Sequence, residues 1–346
     1  MRILDFAYAL PGKRVTNQDV IDEIILRSRK HLSQKDLEIL ESKIRKFFRL
    51  SGTKIRYHRK KGEKAFEFAV TAGREVLRKA VVKPRDVDLL IYSGVGRGWI
   101  TPATASLFQS ELGLRRATSF GVLDACASWI RSLSIAKTFL DGADYKLVML
   151  LNCEFCFKEY CEANLEISSI AELACVFSGF TIGEAATATL LSGSGSSRDF
   201  HFSFRTWGDK HELCKIVLPN EASFSTRMAT PLKPMSFYTL PAELLSFTAE
   251  KLVEHFKETR ILANQNYDLV VGHAVSKSLT TSVAKLMGLD RESVFETHPR
   301  FGNTVSATLP LALAVAEEEG RLRRGMRVLL VMGSAGVSTG LGSFVY

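Results

Sequence analysis

The 346-residue chain has no stretch approaching the roughly 18 to 20 consecutive apolar residues that carry a helix across a bilayer, so no membrane span is expected. Its first residues, Met1-Arg2-Ile3-Leu4-Asp5, lack the charged-then-apolar order of a secretory leader, and a cytoplasmic setting is the expectation. Cysteine is sparse, six residues at irregular spacing, which reads as reduced thiols and not as a disulfide framework. The densest group, Cys153-Glu154-Phe155-Cys156 with Cys161, has no second Cys-x-x-Cys pair and no paired histidines, so no metal centre is expected. The basic clusters at Arg45-Lys46, Arg56 to Lys64 and Arg321 to Arg324 lack the aromatic interleaving of a single-strand binding surface, which argues against nucleic acid.

What is present is a composition, 46% hydrophobic with 24% charged, that supports a globular chain with room for two cores. A net charge of +9 favours acidic partners. Ile3 to Ala9 reads as a strand, Thr16-Asn17-Gln18-Asp19 caps a helix, and Ala65 to Ala80 has helical periodicity that stops before Pro84. From Asp88 the chain repeats a plan of alternating strands and helices. The first pass runs strand 88–93, helix 104–112, strand 119–123, Cys126, helix 128–140 and strand 146–151. The second runs strand 268–271, helix 278–287, strand 294–296, Asn303, helix 307–319 and strand 327–332, with Asp88-Leu89-Leu90-Ile91 echoed by Asp268-Leu269-Val270-Val271. This alternation implies two similar α/β halves built on parallel sheets, residues 1–194 and 195–346, meeting near Ser192 to Ser197. Equivalent points of the halves then carry Cys126 and Asn303.

Four signals in this frame suggest chemistry. Cys126, in Asp124-Ala125-Cys126-Ala127, stands where a strand-like run ends and a helix begins, a position whose free N–H groups and dipole lower a thiol's pKa. His273 ends the first strand of the second pass. Asn303 lies in a tight turn, Phe301-Gly302-Asn303-Thr304. The glycine-rich turn from Gly333 to Gly340 offers backbone N–H groups to an oxyanion. Each has a plainer structural explanation when taken alone: a core thiol, a strand-end histidine, a helix cap and a sheet-edge turn.

Together, and in this order, these words resemble the β-ketoacyl-acyl carrier protein synthase III type of the thiolase superfamily. Ser51-Gly52-Thr53, Gly183-Glu184-Ala185-Ala186, Leu218-Pro219-Asn220 and Gly320 to Gly325 also fall where that family has similar words. The resemblance implies a thiolase-like five-layered α-β-α-β-α fold of two pseudo-symmetric halves, and a homodimer. It implies that Cys126 accepts an acyl group from a coenzyme A or carrier-protein thioester and condenses it decarboxylatively with a malonyl-type thioester, with no cofactor. His273 and Asn303 would serve the thioester carbonyl, and the backbone of Cys126 and Gly336 the oxyanion. Arg56, Lys277 and Lys285 are candidate contacts for acidic substrate groups or an acyl carrier protein, and His298 is expected in a loop. The chain departs from the family pattern at Ala274-Val275-Ser276 after the histidine, at Ser334-Ala335-Gly336 in the closing turn, and at Leu240-Pro241-Ala242-Glu243. Acyl transfer to a non-malonyl acceptor and a silent subunit of a heterodimer remain as alternatives. A non-decarboxylative condensation would call for an extra carboxylate base, and Gly94 to Ala105 contains no acid.

Overall fold

The computed structural model describes residues 1–193, 200–224, 234–273 and 275–346. Its strands, in chain order, are β1 (Arg2–Ala9), β2 (Lys13–Thr16), β3 (Ile55–His58), β4 (Leu89–Ser93), β5 (Thr118–Val122), β6 (Leu147–Glu154), β7 (Ala185–Ser192), β8 (His201–Thr206), β9 (Cys214–Ile216), β10 (Phe237–Thr239), β11 (Leu269–Gly272), β12 (Val294–Phe295), β13 (Arg327–Ser334) and β14 (Ser338–Val345). Two five-stranded sheets dominate, in the orders β1-β7-β6-β4-β5 and β8-β14-β13-β11-β12. The second order repeats the first, strand for strand. Both sheets are mixed, which corrects the expectation of parallel sheets. β4 pairs in parallel with β5 and β6, and β11 with β12 and β13, while β1, β7, β8 and β14 run antiparallel to their neighbours. The periodicity of a buried strand is the same in either direction, so the pattern alone did not separate them.

The parallel strands are apolar throughout because both faces are covered: all five residues of β4 are buried. Helices Ser128–Asp141 and Thr308–Glu318 lie between the sheets, sharing one core with Leu89, Ile91, Val148 and Leu150 of the first and Val271, Val328 and Leu330 of the second. Helix Ala65–Lys79 with Thr104–Glu111 covers the outside of the first sheet, and Pro241–Glu258 with Lys277–Leu286 the outside of the second. The result is the five-layered α-β-α-β-α arrangement. An annex formed by helices Asn17–Ser28 and Gln34–Ser51 packs on the 156–182 segment through Ile24, Leu40, Ile44 and Phe48. The first of these helices opens on a capping box between Thr16 and Asp19, as the sequence predicts. Residues 194–199, at the expected junction of the halves, lie outside the described residues.

Candidate active site

The chain ends β5 at Val122 and turns sharply before the central helix. Asp124, Ala125, Cys126 and Ala127 form this turn, and Ala125 takes φ +44°, a left-handed conformation that a Cβ-bearing residue rarely adopts. Polar ties hold it there. The Asp124 N–H donates to Ser128 Oγ at 2.8 Å, the Ser128 hydroxyl donates to the Ala125 carbonyl at 2.7 Å, and Arg131 pairs with the Asp124 carboxylate at 2.9 Å. From the other half, Ser334 Oγ accepts from the Ala127 N–H at 3.2 Å and donates to the Asp124 carbonyl at 3.2 Å. Cys126 is thus presented by a strained, cross-braced elbow at a helix start.

Its electrostatics overturn the sequence expectation. Burial pushes the Cys126 thiol well above its ordinary pKa, the Cys214 thiol and the Glu154 and Asp124 carboxylates add to this, and only its own backbone N–H pulls the other way. Loss of water and nearby negative charge outweigh the helix start. The shift favours the protonated thiol over the thiolate.

His273 follows β11, its N–H donating to the Val331 carbonyl at 2.8 Å. Both ring nitrogens are shielded from solvent and neither has a hydrogen-bond partner among the described residues. Burial, assisted by nearby His298, lowers its pKa to about 3, so the imidazole is neutral. Asn303 is buried in a turn stitched to the first half: its N–H donates to the Thr181 carbonyl at 2.8 Å, and its carbonyl accepts from the Gly183 N–H at 2.9 Å. The Val305 N–H occupies Asn303 Oδ1 at 2.9 Å, which fixes the amide and leaves its NH₂ as the donor. Gly302 takes φ +69°, and a Cβ there would collide with the Thr181 carbonyl oxygen, so only glycine fits the turn. The Ala125–Ala127 turn packs on the Val305–Ala307 turn and on β13, while β11 is paired with β13, so the three elements converge on the strand ends.

Alignment of the halves corrects one equivalence. Ala125 and Val305 both have positive φ, each opens a three-residue 3₁₀ turn, and each turn leads into a central helix. The counterpart of Cys126 is therefore Ser306, three residues beyond Asn303. The chain places Gly336 at the tip of the β13–β14 hairpin, φ +118°, with open space where a Cβ would lie.

Arg56 is not a substrate contact. It is fully buried, donates to Asn17 Oδ1 at 2.8 Å, stacks 5.0 Å from the Phe48 ring centroid, and lies against Gly183 and Gly302 behind the Asn303 turn. Burial lowers its pKa to about 10. Lys277 and Lys285 are exposed on helix Lys277–Leu286, and the stem of Lys277 packs on Gly52. His298 is no loop residue: it is buried at the start of a short helix, with Nε2 2.6 Å from Thr53 Oγ1. The sequence reading named Glu154 only within the cysteine group and gave it no role, although an acid closing a strand whose other polar side chain is Asn152 is a signal available in the sequence.

Cys153, Cys156 and Cys161 are buried, and among the described residues no group of three or more His, Cys, Asp or Glu is placed to hold a metal ion. No helix among them is long and apolar enough to cross a membrane. Ala242 and Glu243 line an open groove of about 620 Å³ with Asp209, Glu212 and Phe247, separate from Cys126, His273 and Asn303. Ala274 lies outside the described residues.

Comparison with known proteins agrees with this architecture. Residues 258–345 match the family model described as 3-oxoacyl-[acyl-carrier-protein (ACP)] synthase III C terminal. The chain is 24% identical over 347 residues to beta-ketoacyl-[acyl-carrier-protein] synthase III of Syntrophomonas wolfei, covering 98% of this chain and 96% of that one. It is 24% identical over 307 residues to the protein of the same name from Helicobacter pylori, covering 84% and 86%. The crystal structure of 3-oxoacyl-[acyl-carrier-protein] synthase III from Aquifex aeolicus superposes with a TM-score of 0.80 at 23% identity, covering 100% of this chain and 99% of that one. OleA from Xanthomonas campestris with bound lauric acid and lauroyl-CoA superposes with a TM-score of 0.84 at 19% identity, covering 99% and 98%. The C-terminal family match, the near full-length relatives and the shared fold make the chain similar to the β-ketoacyl-acyl carrier protein synthase III enzymes, with the fold common to them and to OleA.

Proposed function

We propose that the protein loads an acyl group onto Cys126 from a coenzyme A or carrier-protein thioester and condenses it decarboxylatively with a malonyl-type thioester to a 3-oxoacyl product. The observation that carries this reading is the pair of unspent polar groups: a neutral imidazole at His273 with neither nitrogen bonded among the described residues, and an Asn303 amide whose Oδ1 is occupied, leaving its NH₂ to donate. In the first half-reaction Cys126 Sγ attacks the acyl carbonyl, the carbon–sulfur bond of the donor breaks, and the donor leaves as a thiol carrying the Cys126 proton. In the second, the malonyl carbon–carboxylate bond breaks and carbon dioxide leaves. Its electron pair becomes an enolate whose oxygen takes hydrogen bonds from His273 and Asn303. The carbanion attacks the acyl-enzyme, and Cys126 is released as leaving group. Pre-placed donors in a water-poor cleft act most strongly where charge develops. The N–H groups of Cys126 and Gly336 are assigned to the tetrahedral oxyanion.

The acidic carrier or coenzyme A phosphates are assigned to the face bearing Lys277 and Lys285. A homodimer is assigned to β5, an edge strand whose second side pairs with no described strand and which runs into exposed Leu123. The test is intact-mass analysis of wild type and Cys126→Ala with a panel of acyl-CoA and acyl-carrier thioesters, with and without malonyl thioester. An adduct confined to wild type and discharged as a 3-oxoacyl product supports the reading. An adduct that malonyl thioester leaves untouched transfers the argument to a non-malonyl acceptor, and no adduct with any donor overturns it.

A further inference from the structure

The two halves brace each other's turns. Glu154 and Ser334 are the last residues of the corresponding strands β6 and β13. Ser334 reaches across to hold the Ala125–Ala127 turn. Glu154 reaches the opposite way: the Ser306 hydroxyl, in the Val305–Ala307 turn, donates to its Oε1. We propose that Glu154 is a positioning residue for the condensation step, its carboxylate fixing the Val305–Ala307 turn and, through it, the Asn303 amide opposite Cys126. The proposal rests on the reading of Asn303 as a donor to the thioester oxygen.

The carboxylate is fully buried and its four contacts come from three segments of chain. Besides Ser306, Oε1 accepts from the Val95 N–H at 3.1 Å, and Oε2 accepts from the Gly96 N–H at 3.1 Å and the Cys156 thiol at 3.5 Å. Ser306 Oγ in turn accepts from Asn152 Nδ2 at 2.8 Å, and of the two acceptors within reach of its proton Glu154 Oε1 is the nearer, the Ser93 carbonyl lying at 3.4 Å. Gly94 is pressed so closely against this group that a Cβ there would strike both Glu154 Oε1 and Ser306 Oγ. A buried carboxylate without a pairing cation is costly unless its lone pairs are filled, and here they are filled by the Val95-Gly96 backbone, the Cys156 thiol and the Ser306 hydroxyl. Val305, held at φ +51°, needs such an anchor, because its N–H is the group that orients Asn303 Oδ1. The turn is strained on one side of Asn303 and braced by Glu154 one residue further on.

Glu154→Gln, Ser306→Ala, Asn303→Ala and the double variant Glu154→Gln/Asn303→Ala test this in the full-length protein. Cys126 loading by acyl-CoA and its discharge by malonyl-CoA are timed separately by intact mass. Loading is expected within about twofold of wild type in the Glu154 and Ser306 variants, with discharge slowed about tenfold to a hundredfold, the cost of a misplaced catalytic group. The double variant is expected to discharge no more slowly than Asn303→Ala, because Glu154 acts through Asn303. Discharge at wild-type rates, equal slowing of both steps, or multiplied effects in the double variant would overturn the proposal. Should Glu154→Gln fail to fold, Ser306→Ala, which keeps the carboxylate and removes its bond to the turn together with the Asn152 contact, decides it when compared with Asn152→Ala, which spares the Glu154 bond and is expected to discharge at wild-type rates. A wild type that does not load, or an Asn303→Ala variant that discharges normally, instead refutes the underlying reading of the site, and both controls are read without any Glu154 variant.

Discussion

The Cys126 turn and the Ser306 turn are the same local structure used for different ends. Each opens on a positive-φ residue, each starts a central helix, and each is braced by the last residue of a strand in the opposite half. At Ser306 the side chain is consumed by Glu154 and Asn152, whereas the Cys126 thiol is met by its own backbone N–H and forms no disulfide. The strand ends differ in the same sense. Ser93 closes β4 with its hydroxyl donating to Ser132 at 2.6 Å, while His273, just beyond β11, bonds through neither ring nitrogen among the described residues. Holding and reacting have been divided between equivalent positions, and the less engaged side chains mark where chemistry is expected.

The largest expected effect comes from the turns themselves. Cys126→Ala is expected to abolish the acyl adduct, and adding Ser306→Cys should not restore one, because that position is enclosed by Glu154. Intact mass after incubation with acyl-CoA reads this, and an adduct on residue 306 would break the distinction between the turns. Next, His273→Ala should lower condensation about a hundredfold to a thousandfold, the usual cost of removing one pre-placed donor, with little change in melting temperature. Ser93→Ala should do the reverse, costing about 1 kcal/mol of stability in a urea titration with activity kept. Gly302→Ala sharpens the point that the Asn303 turn is held by the backbone. A Cβ at φ +69° against the Thr181 carbonyl should cost about 1 to 3 kcal/mol and slow discharge of the acyl-enzyme more than its formation.

The smallest expected effect separates a framework histidine from the cleft. His255 is buried with Nε2 2.7 Å from Ser203 Oγ and Nδ1 2.8 Å from Thr339 Oγ1, and burial lowers its pKa to about 4. The unfolded chain binds this proton below about pH 6.5 and the folded chain does not. Its contribution is therefore fully present above pH 6.5 and lost as pH falls toward 4. Urea midpoints at pH 7 and 4.5 should fall further for wild type than for His255→Gln, while His255→Gln keeps its acyl loading. Equal falls would assign the pH dependence elsewhere.

Much of this was legible in the sequence because buried strands and amphipathic helices impose their own periods. The strands at Leu89–Ser93 and Arg327–Ser334 and the helices at Ala65–Lys79 and Ser128–Asp141 lie within a few residues of where apolar spacing places them. Strand direction was not legible, since alternation and burial do not encode it. The clustering of Arg56 with other basic residues suggested a surface cation. In the fold Asn17, Phe48 and the backbone at Gly183 and Gly302 enclose it, and those neighbours are remote in sequence.

By itself, then, the sequence determined the local alphabet: the repeated strand-and-helix plan, the glycine that the Asn303 turn demands, and the order of Cys126, His273 and Asn303 along the chain. Tertiary structure decided what those groups are chemically. It removed water from Cys126 and set Glu154 near it, so that the thiol is raised where a helix start alone would lower it. It enclosed His273 without a hydrogen-bond partner among the described residues, and it paired Cys126 with Ser306 across the two halves. Desolvation and charge proximity depend on what the folded chain brings from far away in sequence, which is why no local pattern encodes them.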